Sequence, residues 1–149
     1  MARRRSHERP LIICSVGGTA VGADLLRLCA AAYPRLLGFV PRLYEHFAAC
    51  DVAVVQAGGT TTLELTALRR PFVYFPLDSH FEQNLAVVPR LRRHGAGERR
   101  DFDSTPPEAL ARQLDFEPTW HAIPTDGARR AAELIAAQLP PTGPRAGVP

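Results

Sequence analysis

Only 3 of the 149 residues are cysteine, and no two of them form a CxxC pair. Cys14, Cys29 and Cys50 are odd in number and widely spaced, which gives neither a disulfide framework nor a thiolate metal site. No apolar run reaches the roughly 20 residues that a membrane-spanning helix needs. The leader, residues 1–9, carries Arg3, Arg4, Arg5 and Arg9 but no apolar stretch follows them, so it does not read as a secretory signal. Reduced thiols without a signal make the cytoplasm the expected location. Charge of one sign is also scarce in excess: 18 Lys+Arg stand against 15 Asp+Glu, a formal net charge of +3. No aromatic residues interleave with the leader arginines or with Arg90, Arg92, Arg93, Arg99 and Arg100, so no nucleic-acid partner is expected.

What remains is an ordinary globular composition, 46% hydrophobic and 22% charged, in a length suited to one domain. Residues 1–9 read as a disordered basic leader and 140–149 as a disordered Pro- and Gly-rich tail, leaving 10–139 as the domain. Leu11–Val16 is a short β-branched run ended by Gly17-Gly18, the signal of a buried strand. Ala23–Ala32 has helical spacing, and Pro34 closes it. The segment Leu36–Pro41 is too short for a strand with its loops. A helix is predicted over Leu43–Ala49, a second buried strand over Asp51–Gln56, and a helix over Thr61–Leu68. Phe72–Phe75 reads as a third strand and Phe81–Arg93 as a helix. Thr105, Pro106 and Glu108 make a capping box that opens a helix to about Leu114, and a last helix runs from about Asp126 to Leu139.

Strands alternating with helices predict an α/β domain with a parallel sheet and flanking helices. In such sheets ligands bind at the carboxyl edge, where the loops after the strands converge. Two of these loops share one design, a strand, a Gly-Gly pair and a helix: Gly17-Gly18 and Gly58-Gly59. A glycine pair admits a ligand close to the backbone, and the following helix end offers free N–H groups and partial positive charge. Both suit phosphate, and two such grips suit a diphosphate. The same pairs also read as plain strand-to-helix turns. A Walker loop is excluded because Ala23-Asp24 follows Gly22 where Lys-Ser/Thr is needed, and the G-x-G-x-x-G dinucleotide fingerprint is not met.

The stretch Asp51–Asn84, DVAVVQAGGTTTLELTALRRPFVYFPLDSHFEQN, carries the most specific signal. An Asp-led strand ends in a Gly-rich loop, a Thr-rich segment leads to Leu63-Glu64, a Pro-led strand ends in Pro76, and Glu82-Gln83 with Asn84 opens the next helix. This order resembles the C-terminal domain of GT-B glycosyltransferases of the family 28 and UDP-glycosyltransferase type. The resemblance covers about residues 10 to 139 and implies a Rossmann-like half of a GT-B fold, internally shortened and without the N-terminal acceptor domain. It implies that a nucleoside diphosphate-sugar, such as a UDP-sugar, is the donor for hexosyl transfer to an acceptor hydroxyl. By position, Gly17, Gly18, Thr19, Gln56, Gly58, Gly59, Thr60 and Thr61 would hold the diphosphate. Glu64 would accept from the ribose hydroxyls. Glu82, Gln83 and Asn84 would read the sugar, and Phe39 and Val40 would lie near the base. Relatives of this kind keep the catalytic base in the other domain, and some eukaryotic ones divide the two domains between chains, so an acceptor-domain partner is expected.

Plainer readings stand beside these. Thr61 and Glu64 also fit a capping box, and Glu82 a first-turn acid that complements a helix dipole. His80 reads as a surface loop residue, Trp120 as packing, and His94 and His121 have no supporting constellation. Positive helix ends can stabilise a leaving diphosphate without a cofactor, so no metal and no cofactor is expected. A non-catalytic or remnant nucleotide-binding protein is the alternative function.

Overall fold

The structure is a computed structural model that describes residues 10–16, 22–32, 38–112 and 121–139. The leader, Gly17, Gly18, Thr19, Trp120 and the tail fall outside these residues. In chain order the elements are β1 (Ile12–Ser15), α1 (Ala23–Ala32), α2 (Leu43–Ala49), β2 (Val52–Gln56), α3 (Gly59–Ala67), β3 (Phe72–Phe75), a π-helical turn (Gln83–Val87) leading into α4 (Val88–His94), β4 (Glu98–Arg99), α5 (Pro107–Arg112) and α6 (Gly127–Ala136).

The four strands form one sheet in the order β1-β2-β3-β4, every pair parallel. β1, β2 and β3 are short and largely apolar because helices cover both faces. Alternate side chains divide between two cores. Ala53, Val55, Phe72 and Tyr74 face Phe47, Leu65, Val88 and Leu91 from α2, α3 and α4. Val52, Val54, Val73 and Phe75 face Leu25 and Cys29 of α1 and Leu110 of α5. Register aligns the carboxyl ends, with Ser15 beside Val55 and Gln56 beside Phe75. The loops after β2 and β3 therefore leave the sheet at one edge.

Local devices fix the connections. The side chain of Asp51 accepts a hydrogen bond from the Leu11 amide at 2.8 Å, tying the start of β2 to β1. Arg70 donates to the carbonyls of Ala48 and Cys50 and so closes the end of α2. Gly95 ends α4 with φ 60°, and Ala96 N–H returns to the Leu91 carbonyl at 3.0 Å. Gly97 has φ 68°, and a β-carbon there would lie 2.4 Å from the Phe72 ring, so glycine is required twice over.

Most predicted elements are present, with four differences. β4 was not foreseen, since two charged residues carry no strand signal. α3 begins two residues early, with Gly58 at the cap position. α5 begins one residue late: the Leu110 amide bonds to the Pro106 carbonyl at 3.0 Å, so Pro106 takes the cap position expected of Thr105. Thr105 instead closes the preceding 3₁₀ turn, its amide donating to the Phe102 carbonyl at 3.3 Å. The helix predicted over Phe81–Arg93 is interrupted by the π turn. Along α6 every residue is exposed, including Leu134 and Ile135. None of the described helices is long and apolar enough to cross a membrane.

Candidate functional site

The carboxyl edge of β2 and β3 gathers most of the described candidates. Gln56 is the last residue of β2 and is buried. The chain then turns through Ala57 and Gly58 into α3. Thr62 N–H makes the first helical bond, to the Gly58 carbonyl at 3.1 Å. The amides of Gly59, Thr60 and Thr61 precede that bond and have no carbonyl within the helix to meet. No side chain caps this end. Three N–H groups thus lie at the positive end of a nine-residue helix, at the edge where an α/β sheet takes its ligands.

The glycines of the chain differ in what holds them. A β-carbon on Gly22 would lie 2.3 Å from that of Val16, and one on Gly97 would strike Phe72, so the fold demands glycine at both. Gly58 has φ −69° and ψ 137°, an ordinary extended conformation. An added β-carbon there would meet nothing nearer than Thr61 Oγ1 at 3.9 Å. Gly59 is helical, and its added β-carbon would meet only Glu82 Oε1, at 3.1 Å. Neither conformation nor packing excludes a side chain at 58 or 59. Gly59, inside the helix, costs about 0.5–1 kcal/mol of backbone entropy relative to alanine, whereas at the cap position of Gly58 glycine is favoured over alanine.

Glu64 lies on α3, partly exposed, in the second turn. Because Gly58 is the cap residue, Thr61 and Glu64 cannot form a capping box, and that reading is set aside. Glu82 is exposed and reaches across from the β3 side to Gly59, joining the two loops. Gln83 and Asn84 are engaged with the loop after β3. Gln83 is buried, and its Oε1 accepts from the Leu77 amide at 2.8 Å. Asn84 Nδ2 donates to the carbonyls of Leu77, Asp78 and His80 at 2.8, 3.1 and 3.0 Å. His80 Nδ1 is buried without a hydrogen-bond partner. Phe39 is 94% exposed and Val40 half-buried, and among the described residues no hydrogen bond ties either side chain to the edge described above.

The sequence reading missed Arg90 as a site residue. From α4 it reaches back to α3, with Nη2 3.3 Å from both the Gly59 carbonyl and Thr62 Oγ1. Its signal was its place between Val87 and Leu91, both buried, on the inward side of the helix. The sequence also holds one Asp-x-Asp triplet, Asp101-Phe102-Asp103, that the metal-free expectation passed over. Asp101 is exposed and bound to Arg99 at 3.0 Å, and Asp103 is exposed. Among the described residues no group of three or more His, Cys, Asp or Glu could hold a metal ion.

No protein-family model matches the chain. An uncharacterized glycosyltransferase of Methanopyrus kandleri is 29% identical over 108 residues, 69% of this chain and 31% of that protein. The UDP-N-acetylglucosamine–N-acetylmuramyl-(pentapeptide) pyrophosphoryl-undecaprenol N-acetylglucosamine transferase of Mycobacterium tuberculosis is 33% identical over 100 residues, 66% of this chain and 23% of that one. Among solved structures, Acinetobacter baumannii MurG superposes with a TM-score of 0.66 at 20% identity, covering 90% of this chain and 52% of the other. The glycosyltransferase SnogD from Streptomyces nogalater gives 0.57 at 20% identity, covering 89% and 44%. The chain spans about half the length of these solved structures and a third or less of the curated relatives. Its homologues are glycosyltransferases, and its fold matches one half of a GT-B fold, in keeping with a shortened C-terminal domain.

Proposed function

We propose that this chain, a homologue of one part of the glycosyltransferases, binds the diphosphate of a nucleoside diphosphate-sugar at the amino end of α3. It would serve as the donor side of hexosyl transfer to an acceptor hydroxyl. The observation that carries the reading is the amino end of α3: three amides that find no helical carbonyl, beside Gly59, a helical glycine that packing does not require. Those amides would hold the phosphates as they leave and stabilise the charge that develops there. Glu64, freed from a capping role, would accept from the ribose hydroxyls, and Glu82, at the mouth, would meet the sugar. Thr60 and Thr61 would add hydroxyl donors. The aligned strand ends support a matching role for the loop after β1. No metal enters this scheme.

An acceptor-domain protein would complete the site. Support comes from α6, where Ala128, Ala131, Ala132 and Ile135 make one apolar stripe that no element among the described residues covers, opposite the Asp126–Arg129–Glu133 ion pairs. The three free thiols accord with a cytoplasmic setting.

A narrower reading is favoured by one observation. Gln83 and Asn84 give amide groups to the 77–80 loop, which favours a protein that holds the nucleoside diphosphate without reading the sugar. Calorimetric titration of the full chain with UDP and with UDP-sugars, with and without a chelator, tests both. Binding of UDP that survives chelation supports the donor site. UDP-sugars binding no tighter than UDP select the narrower reading. Failure of UDP to bind at millimolar concentration overturns the proposal.

A further inference from the structure

Among the described residues, Arg90 is the side chain seen to reach the first turn of α3 from another element and bond its backbone. Its Nη2 donates to the Gly59 carbonyl and to Thr62 Oγ1, each at 3.3 Å. Thr62 Oγ1 in turn donates to the Gly58 carbonyl at 2.8 Å, with the Gly59 carbonyl at 3.2 Å. Thr62 is fully buried, so this hydroxyl has no water to turn to. The carbonyls of Gly58 and Gly59 are therefore both held by side chains, Gly58 also by the Thr62 amide at 3.1 Å. A trans peptide sets its N–H opposite its C=O. Holding those two carbonyls fixes the directions of the Gly59 and Thr60 amides, away from the bonds their carbonyls make. The guanidinium also places a full positive charge beside the half charge of the helix end.

We infer that Arg90 is a positioning residue for anion binding: it aims the Gly59 and Thr60 amides and adds to the positive field of the α3 amino end. The inference rests on the donor-site reading and names the side chain that makes that site work. Arg90 does not touch the ligand; it acts through the turn. Its nearest opponent at the same turn is the Glu82 carboxylate, which stands at Gly59 from the solvent side.

Titration with inorganic pyrophosphate across a salt series tests this on the full chain, with UDP in parallel. Arg90→Ala is expected to weaken pyrophosphate about tenfold and to flatten the salt dependence of its affinity. Arg90→Lys, which keeps the charge but cannot fork between a carbonyl and a hydroxyl, is expected to restore the salt dependence and only part of the affinity. Arg90→Gln, a neutral donor of milder packing effect, gives the same comparison should Arg90→Ala fail to fold. Wild-type affinity in these variants overturns the inference, as does a loss that leaves the salt dependence unchanged and that lysine does not rescue. Pyrophosphate binding that depends on Arg90, with UDP bound no tighter than pyrophosphate, upholds Arg90 and overturns the nucleotide reading. A wild-type chain that binds UDP with no contribution from Arg90 does the reverse.

Discussion

Glu82 Oε1 stands 3.1 Å from the point that a β-carbon on Gly59 would occupy. The carboxylate belongs to the segment after β3 and the glycine to the segment after β2, so the two loops come close at the carboxyl edge of the sheet. It also sets a test. In Gly59→Ala the new methyl group meets only the far end of an exposed side chain, which can swing aside. Alanine is the better helix former by about 1 kcal/mol, so the variant is expected to melt at or above the wild-type temperature. UDP binding is expected to fall about tenfold, because the methyl group stands before the amides that phosphate would meet. Gly58→Ala should weaken UDP alike but melt somewhat below the wild type, since glycine is the better residue at a helix cap. Thermal melts and calorimetry on both variants decide the matter, and retained affinity would return these glycines to a plain turn.

Glu64 separates binding from folding more sharply. Its carboxylate is not a cap, since the helix begins at Gly59. Glu64→Ala should leave the melting temperature within a few degrees, as substitutions away from caps and core do. It should weaken UDP by about 10- to 100-fold, the range for a lost hydrogen bond to a charged group. Pyrophosphate affinity should not fall, because no ribose is present. An equal loss for both ligands would show that Glu64 acts on the turn and not on a pentose.

The bounds of α1, α2 and β3 were legible in the sequence because each is marked on the chain itself. Pro34 follows the first, Pro41 precedes the second, and Pro71 and Pro76 enclose the third. The start of α3 was misplaced because a Thr-rich run looks like a cap, whereas Gly58 already holds the cap position and Gly59 is helical. The π turn at Gln83–Val87 was hidden for a different reason. It goes with side-chain bonds from Gln83 and Asn84 to a loop six or seven residues upstream, and periodicity carries no record of such bonds. The places of Gly58 and Gly59 were legible from the strand, Gly-Gly and helix pattern, and that of Glu82 from the family resemblance. That of Arg90 was not, because its partner lies 31 residues earlier and the pairing exists only once α4 packs on α3.

Gln83 is the side chain by which the loop after β3 is hung. It is buried, and its Oε1 satisfies the Leu77 amide at 2.8 Å. Gln83→Ala would leave that part-buried donor unpaired at about 1–3 kcal/mol, a loss expected to appear as a melting temperature several degrees lower. Gln83→Glu keeps an acceptor for the amide and should recover part of the loss. Hydrogen exchange at the Leu77 amide reports the bond directly. An unchanged melt together with weakened sugar binding would instead assign Gln83 to the ligand.

Alkali should destabilise this protein through its buried thiols. Burial is the main influence on Cys50 and raises its pKa from 9.0 to about 11; nearby Arg70 opposes the shift and Asp51 adds to it. Cys29 is also pushed well above the ordinary thiol range, first by its hydrogen bond with Cys14 and then by burial. Burial raises the Tyr74 phenol in the same sense. In each case the folded state keeps a proton that the unfolded chain gives up. The stabilisation is therefore complete below about pH 9 and is lost as pH rises toward 11, with a slope of about 1.4 kcal/mol per pH unit for each thiol. Urea midpoints measured under reducing conditions from pH 8 to 11 should fall steadily, and Cys50→Ala should make the fall shallower. A midpoint that held level to pH 11 would mean that these sulfurs exchange protons with solvent in the folded state, against their burial in the cores on either side of the sheet.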